Sequence, residues 1–212
     1  MSHLADPDMI LPAYAATRER IVGLLRDASA EAAKRPVPAC PSWTVADLAA
    51  HIAGLPEDII AGRVEGAGSD PWTAAQVDRH RGDTLDLLAD SLESNAAAFD
   101  GILPHIPAPV NSQIVMDTVT HEHDLRAALD QPGARDSDAV VVGLGFLLHG
   151  RAEREPDVVE AILAAGITPW DLLRTLSGRR TAGQIAALGL DAEAIIGPMA
   201  GSPVSAPPEP VE

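Results

Sequence analysis

Positive charge is scarce in this chain. Lys34 is the only lysine, and Lys and Arg together number 15 against 31 Asp and Glu, for a formal net charge of −16 and a sequence pI near 4.6. A protein so short of basic residues carries no footprint for a phosphate backbone, so nucleic acid is not an expected partner. Docking on an anionic lipid surface is excluded on the same ground. Cysteine is scarcer still. Cys40 stands alone, which rules out an internal disulfide, a four-cysteine zinc site and a cysteine-ligated cluster. Long apolar runs are missing too. None approaches the ~20 residues a membrane helix needs. The first thirty residues lack the basic start and apolar block of a secretory signal. A soluble protein of a reducing, cytoplasmic compartment is the expectation.

What is present favours helix. The 212 residues are 46% hydrophobic and 22% charged, which is ordinary for a globular chain of one or two domains. Ala, Leu, Ile and Arg dominate, and the alternation of β-branched residues that marks strands is rare. A first helix is expected over about 11–30, with Ile21, Leu24 and Leu25 on one face. Pro36, Pro38 and Pro41 impose an extended link. Thr44 is a good N-cap, with Asp47 three residues on, for a second helix carrying Leu48, His51, Ile52, Leu55 and Ile59. Pro56 should kink it. A third long helix, capped at Asp83 or Thr84, carries Leu85, Leu88, Leu92 and Phe99, and a fourth runs from about Asn111 to just before Pro132. Four such amphipathic helices make a bundle. The apolar run from Val140 to Leu148 suits either a buried helix or a strand, and short helices are expected over Leu172–Leu176 and Thr181–Leu188. The expected division is a bundle over 1–135, a reduced and mostly helical C-terminal region over 136–196, and a disordered Pro-rich tail over 197–212.

The chemistry-bearing residues cluster in two of these helices. In the fourth, Asp117, His121 and Asp124 stand at i, i+4 and i+7. At ~100° per residue they lie within about 60° of one another, whereas His123 falls about 160° from His121. A carboxylate and an imidazole one turn apart can share a metal ion, with a third ligand from another helix. His51 is the candidate. Alone on an apolar face it reads as a core histidine. Together with Asp117 and His121 it completes two imidazoles and a carboxylate, and three protein ligands leave a position open, as in catalytic zinc sites. Asp47 or Asp124 could orient a ligating ring through its second nitrogen. His121-Glu122-His123 on a strand would instead resemble the first strand of a metal-dependent amidohydrolase barrel, but too little chain follows for a fold of roughly 250 residues. Arg79, His80 and Arg81, and likewise Arg179 and Arg180, suit either an anion clamp or solvated helix ends. Cys40 reads as a small half-buried apolar group rather than a nucleophile.

Three segments carry a family resemblance. Cys40-Pro-Ser-Trp43-Thr44-Val-Ala-Asp47-Leu-Ala-Ala-His51 resembles the CPGWTVxDLxAH segment of the mycothiol-dependent maleylpyruvate isomerase family. Asp117-x-x-x-His121-x-x-Asp124 resembles its Glu-x-x-x-His-x-x-Asp. Leu172-Leu-Arg174-Thr-Leu-Ser-Gly178-Arg179-Arg180, followed by Gln184, resembles its C-terminal LLRxLxGRRxxxQ element. The resemblance implies an all-α, DinB-like four-helix bundle holding a divalent metal, zinc being the expected ion, with His51, Asp117 and His121 at the ligand positions. It implies mycothiol, an actinobacterial thiol, as cosubstrate. It also implies an arginine near the substrate, at Arg79 or Arg81, with Arg81 as the candidate catalytic residue. In the isomerase, thiolate addition to an activated double bond permits rotation before elimination. Two departures stand out. The family's ligand glutamate is Asp117 here, one methylene shorter, and the C-terminal region is too short for the second α/β domain of the isomerase's relatives.

The function expected on these grounds is a metal- and thiol-dependent transferase or isomerase of a small electrophile. A non-catalytic metal-binding bundle with a regulatory or interaction role is the alternative. A homodimer is compatible with the sequence, since bundle faces and dimer faces look alike in it.

Overall fold

The computed structural model describes residues 2–202 and 204–211. Eleven helices and one small hairpin are found among them: α1 (Pro7–Asp27), β1 (Pro36–Val37), β2 (Cys40–Thr44), α2 (Val45–Ile60), α3 (Asp70–Arg79), α4 (Leu85–Ser94), α5 (Ala96–Ile102), α6 (Val110–Leu129), α7 (Asp138–Ala152), α8 (Pro156–Ala164), α9 (Pro169–Leu176), α10 (Ala182–Ala187) and α11 (Ala192–Ile196). The fold is all-α, as the helical periodicity predicts. No described helix is long and apolar enough to cross a membrane.

The chain divides into two compact units by packing rather than by chain order. One comprises Tyr14–Pro107 and His121–Gly133. The other takes the residues up to Ala13, Ala108–Thr120 and those from Ala134 on. Helices α1 and α6 are continuous and contribute a part to each.

The first of these units is the helical bundle. Its apolar core draws Ile21, Leu24 and Leu25 from α1, Leu48, Ala49, Ile52 and Ala53 from α2, Leu85, Leu88, Ala89 and Leu92 from α4, and Leu125, Ala128 and Leu129 from α6. Each set repeats at three and four residues, so each helix turns one stripe inward. A buried ion pair joins α1 to α6. Arg20 donates from Nε and Nη2 to the two Glu122 carboxylate oxygens at 2.8 and 2.7 Å, and Arg126 donates to the same carboxylate at 2.9 Å. Two guanidinium groups thus satisfy a carboxylate that has no exposure to solvent.

The proline-rich link is extended and self-paired. β1 and β2 form an antiparallel hairpin with Pro36 opposite Thr44. β2 runs straight into α2 through a capping box. Thr44 Oγ1 accepts from the Asp47 amide at 3.2 Å, and Asp47 Oδ2 accepts from the Thr44 amide at 2.9 Å. The long helix expected after Thr84 is two helices. At Asn95 the side-chain amide donates to the Ser91 carbonyl at 3.0 Å, which satisfies a last-turn acceptor and ends α4 before α5 begins.

In the other unit, Val140–Leu148 lies within α7. Gly143 explains the close packing there. A Cβ on it would stand 3.1 Å from the Met116 Cα and 3.2 Å from side-chain atoms of Leu173 and Val119. α8 and α11 occupy stretches where the sequence offered no clear element. Leu144, Leu148, Val159, Ile162, Leu172, Leu176 and Ile185 form this unit's apolar cluster, and Met199 joins it from the segment expected as a tail.

Leu88 is almost fully buried in the bundle core. Leu88→Ala should lower unfolding stability by about 2–5 kcal/mol, read as a shift in the urea midpoint at unchanged slope.

Candidate metal centre

The capping box sets the phase of α2 and so the direction of His51, which is buried. Its Nδ1 lies 2.7 Å from Gln76 Oε1, and Gln76 Nε2 donates to Asp58 Oδ2 at 2.8 Å. A carboxylate at Asp58 requires the amide nitrogen on its side, so the amide oxygen faces the ring and the imidazole proton resides on Nδ1. The Nε2 nitrogen then carries the lone pair. Asp58 is itself held by Arg63 Nε at 2.6 Å and Arg79 Nη1 at 2.8 Å. Asp47 spends its carboxylate on the cap, and Gln76 of α3 takes the orienting role.

Gly54 makes this possible. It lies three residues after His51 on the same face of α2, and a Cβ there would stand 2.6 Å from Gln76 Cβ. Only a residue without a side chain lets α3 approach closely enough for Gln76 to reach the ring.

His121, on α6, is also buried. Its Nδ1 donates to Asp124 Oδ2 at 3.0 Å. Asp124 is wholly buried and accepts a second, long contact from the Cys40 thiol, Sγ to Oδ2 at 4.0 Å. The His51 and His121 rings stand edge to face with centroids 5.1 Å apart, and the Trp43 ring lies 5.4 Å from the first and 6.2 Å from the second. Asp117 is placed one turn before His121 by α6 itself and is half-buried. Within the bundle unit, ligand atoms of Cys40, His121 and Asp124 all lie within 4.8 Å of one another. His123 is buried and does not belong to this group.

The basic residues read as an anion clamp are engaged in ion pairs or, for Arg179, in a hydrogen bond to the backbone. Arg79 serves Asp58, and its Nε lies 3.4 Å from Glu57. Arg81 is exposed and pairs with Asp78. Arg180 approaches Asp171 at 3.3 Å and the Trp170 ring at 4.9 Å, and Arg179 donates to the Ser177 carbonyl. His80 lies between Glu57 Oε2 at 3.1 Å and Asp83 Oδ2 at 2.9 Å. The hydrogen bond to Glu57 outweighs burial and raises His80 above its ordinary value of 6.5. Burial opposes charge on Glu57, but His80, Ser91 and Arg79 together hold it below its ordinary 4.5.

Gln76, Trp43 and Asp58 had no assigned role in the sequence. The available signal was Gly54 beside His51, since a glycine inside a strong helix marks a close approach.

Gln76→Ala should weaken divalent-metal affinity about 10–100-fold, the usual cost of losing a ring-orienting partner, and Gly54→Ala should weaken it in the same direction despite its gain in helix propensity. Competition against a chromophoric chelator measures both. The raised His80 stabilises the fold fully below about pH 6.5, and that stability is lost as pH rises through its folded value, while the Glu57 contribution is lost as pH falls through its own depressed value. Thermal melts of His80→Gln across this range should lack the alkaline loss that the parent shows.

A sequence model described as the mycothiol maleylpyruvate isomerase N-terminal domain matches residues 14–126, just over half of the chain. His51, Asp117, His121 and Asp124 all fall inside the matched span. Comparisons with curated proteins and with solved structures gave no match. The chain belongs to the family of the mycothiol maleylpyruvate isomerase N-terminal domain.

Proposed function

We propose that this protein is a metal-dependent enzyme that uses a low-molecular-weight thiol, mycothiol, as the nucleophile in a transfer to, or an isomerisation of, a small electrophile. His51, Asp117 and His121 would hold the divalent ion, for which zinc suits the donors. The observation that carries this reading is the meeting of two buried imidazoles, His51 and His121, with ring centroids 5.1 Å apart, and with Asp117 one turn before His121 along α6, in a chain of a family described by mycothiol chemistry.

The donor set fits such an ion. Gln76 and Asp124 are placed to accept a proton from Nδ1 of each ring, which leaves Nε2 of each as the nitrogen that would bind the ion. Three protein donors leave room for a substrate atom, the arrangement of catalytic rather than structural zinc. When bound, the ion supplies the positive charge that favours the thiolate over the thiol near neutral pH. The chain's own residues do the rest. Gln76 and Asp124 hold the imidazoles in one tautomer, Asp58 with Arg63 and Arg79 fixes Gln76, and the half-buried Trp43 ring packs beside both imidazoles. Asp117, one methylene shorter than the family's glutamate, would be the carboxylate ligand from α6.

A non-catalytic metal-binding bundle is the second reading. It is favoured by the ion pairs of Arg79 with Asp58 and of Arg81 with Asp78, which commit to carboxylates the two arginines that the resemblance sets near a substrate and leave that stretch of the bundle closed to one.

Elemental analysis tests the ligand set. About one equivalent of metal is expected, the stoichiometry of a single three-ligand site, and it should be lost in His51→Ala and in His121→Ala. Retention in both variants would overturn the assignment. Titration of the metal-loaded protein with mycothiol then separates the readings: stoichiometric binding supports the enzyme, and none supports the closed bundle.

A further inference from the structure

His121, one of the proposed ligands, also has Cys40 and Asp124 beside it. All three lie within the bundle unit, with ligand atoms within 4.8 Å of one another. We propose that Cys40, His121 and Asp124 form a second metal seat, built for a thiophilic divalent ion, which takes His121 through Nδ1 and competes with the first set for that ring.

The distances suit it. Donors around a tetrahedral zinc stand about 3.3–3.8 Å apart, given bond lengths of about 2.0–2.3 Å. Asp124 Oδ2 lies 3.0 Å from His121 Nδ1 and 4.0 Å from Cys40 Sγ, and all three ligand atoms lie within 4.8 Å of one another, so an ion between them needs shifts of about an ångström or less. The donors differ in kind from those of the first set. A thiolate in place of an imidazole moves preference toward softer ions, among them Zn2+ and Cd2+ over Mn2+ or Mg2+. Binding releases two protons from their present positions. The Cys40 thiol proton leaves to solvent, and the His121 proton moves from Nδ1 to Nε2.

That second transfer makes the seats exclusive. A neutral imidazole has one lone pair. With the proton on Nδ1, held by Asp124, the ring serves His51 and Asp117. With the proton on Nε2, it serves Cys40 and Asp124. A soft ion in the second seat therefore withdraws a ligand from the first without displacing any ion directly. The backbone supports a fixed position for Cys40. β2 is paired to β1 and joined to α2 by the Thr44 capping box, so the sulfur is held on a strand rather than a free loop.

The test uses Co2+ and the full-length protein. A thiolate-to-cobalt charge-transfer band in the near ultraviolet is expected in His51→Ala and in Asp117→Asn, both of which cripple the first set, and it should vanish in Cys40→Ser. Loss of the band in His51→Ala and Asp117→Asn, with circular-dichroism melts unchanged, would show that Cys40 serves the first set and would overturn a separate seat. Absence of the band from every form would overturn it too, while leaving metal binding by His51, Asp117 and His121 to stand on the elemental analysis. Cd-113 NMR of the unaltered protein gives an independent reading without a substitution. A resonance in the sulfur-ligated range supports the seat, and resonances confined to the nitrogen and oxygen range exclude it.

Discussion

The reciprocal hydrogen bonds between Thr44 and Asp47 decide where α2 begins, and the site depends on that start. A helix shifted by one residue turns every side chain by ~100°. His51 would then leave Gln76, and Leu48 and Ile52 would leave the core. The same two residues tie the helix to β2, which carries Cys40 and Trp43. One local interaction thus positions an imidazole, an indole and a thiol around the place where α6 presents His121.

Around this start the protein builds a polar interior inside an apolar bundle. His51, Gln76 and Asp58 form a buried chain that ends at Arg63 and Arg79. Glu122 is satisfied by Arg20 and Arg126 in the same unit. Such networks stabilise one arrangement strongly because a half-satisfied member is costly at low dielectric. The engagement of Arg79 with Asp58 follows from this. The Arg79 guanidinium serves the carboxylate that fixes Gln76.

His121 is where the two chemistries meet. Its Nδ1 proton decides which neighbours the ring can serve, and Asp124 holds that proton while remaining a donor in its own right. With the proposed seats filled, competition between a nitrogen and oxygen set and a sulfur-containing set around one ring would let a bundle of few functional residues choose between ions by softness rather than by affinity alone.

Much of this was legible before any coordinates. The 3.6-residue period placed the helices, Thr44 marked a helix start, and the i, i+4, i+7 spacing of Asp117, His121 and Asp124 put them on one face of α6, since each depends only on residues near in sequence. The break at Asn95, the helical state of Val140–Leu148 and the presence of α8 and α11 were not legible, because propensity there is balanced and packing decides. Gln76 was invisible for a different reason. Its role needs Gly54 to bring α3 against α2, a contact between residues 22 positions apart that no local pattern encodes. The sequence by itself determined the helical class and the imidazole and carboxylate types on α2 and α6. The tertiary structure alone decided which side chain orients His51 and that Cys40 lies beside Asp124, because those distances are set by how helices and hairpin pack and not by spacing along the chain.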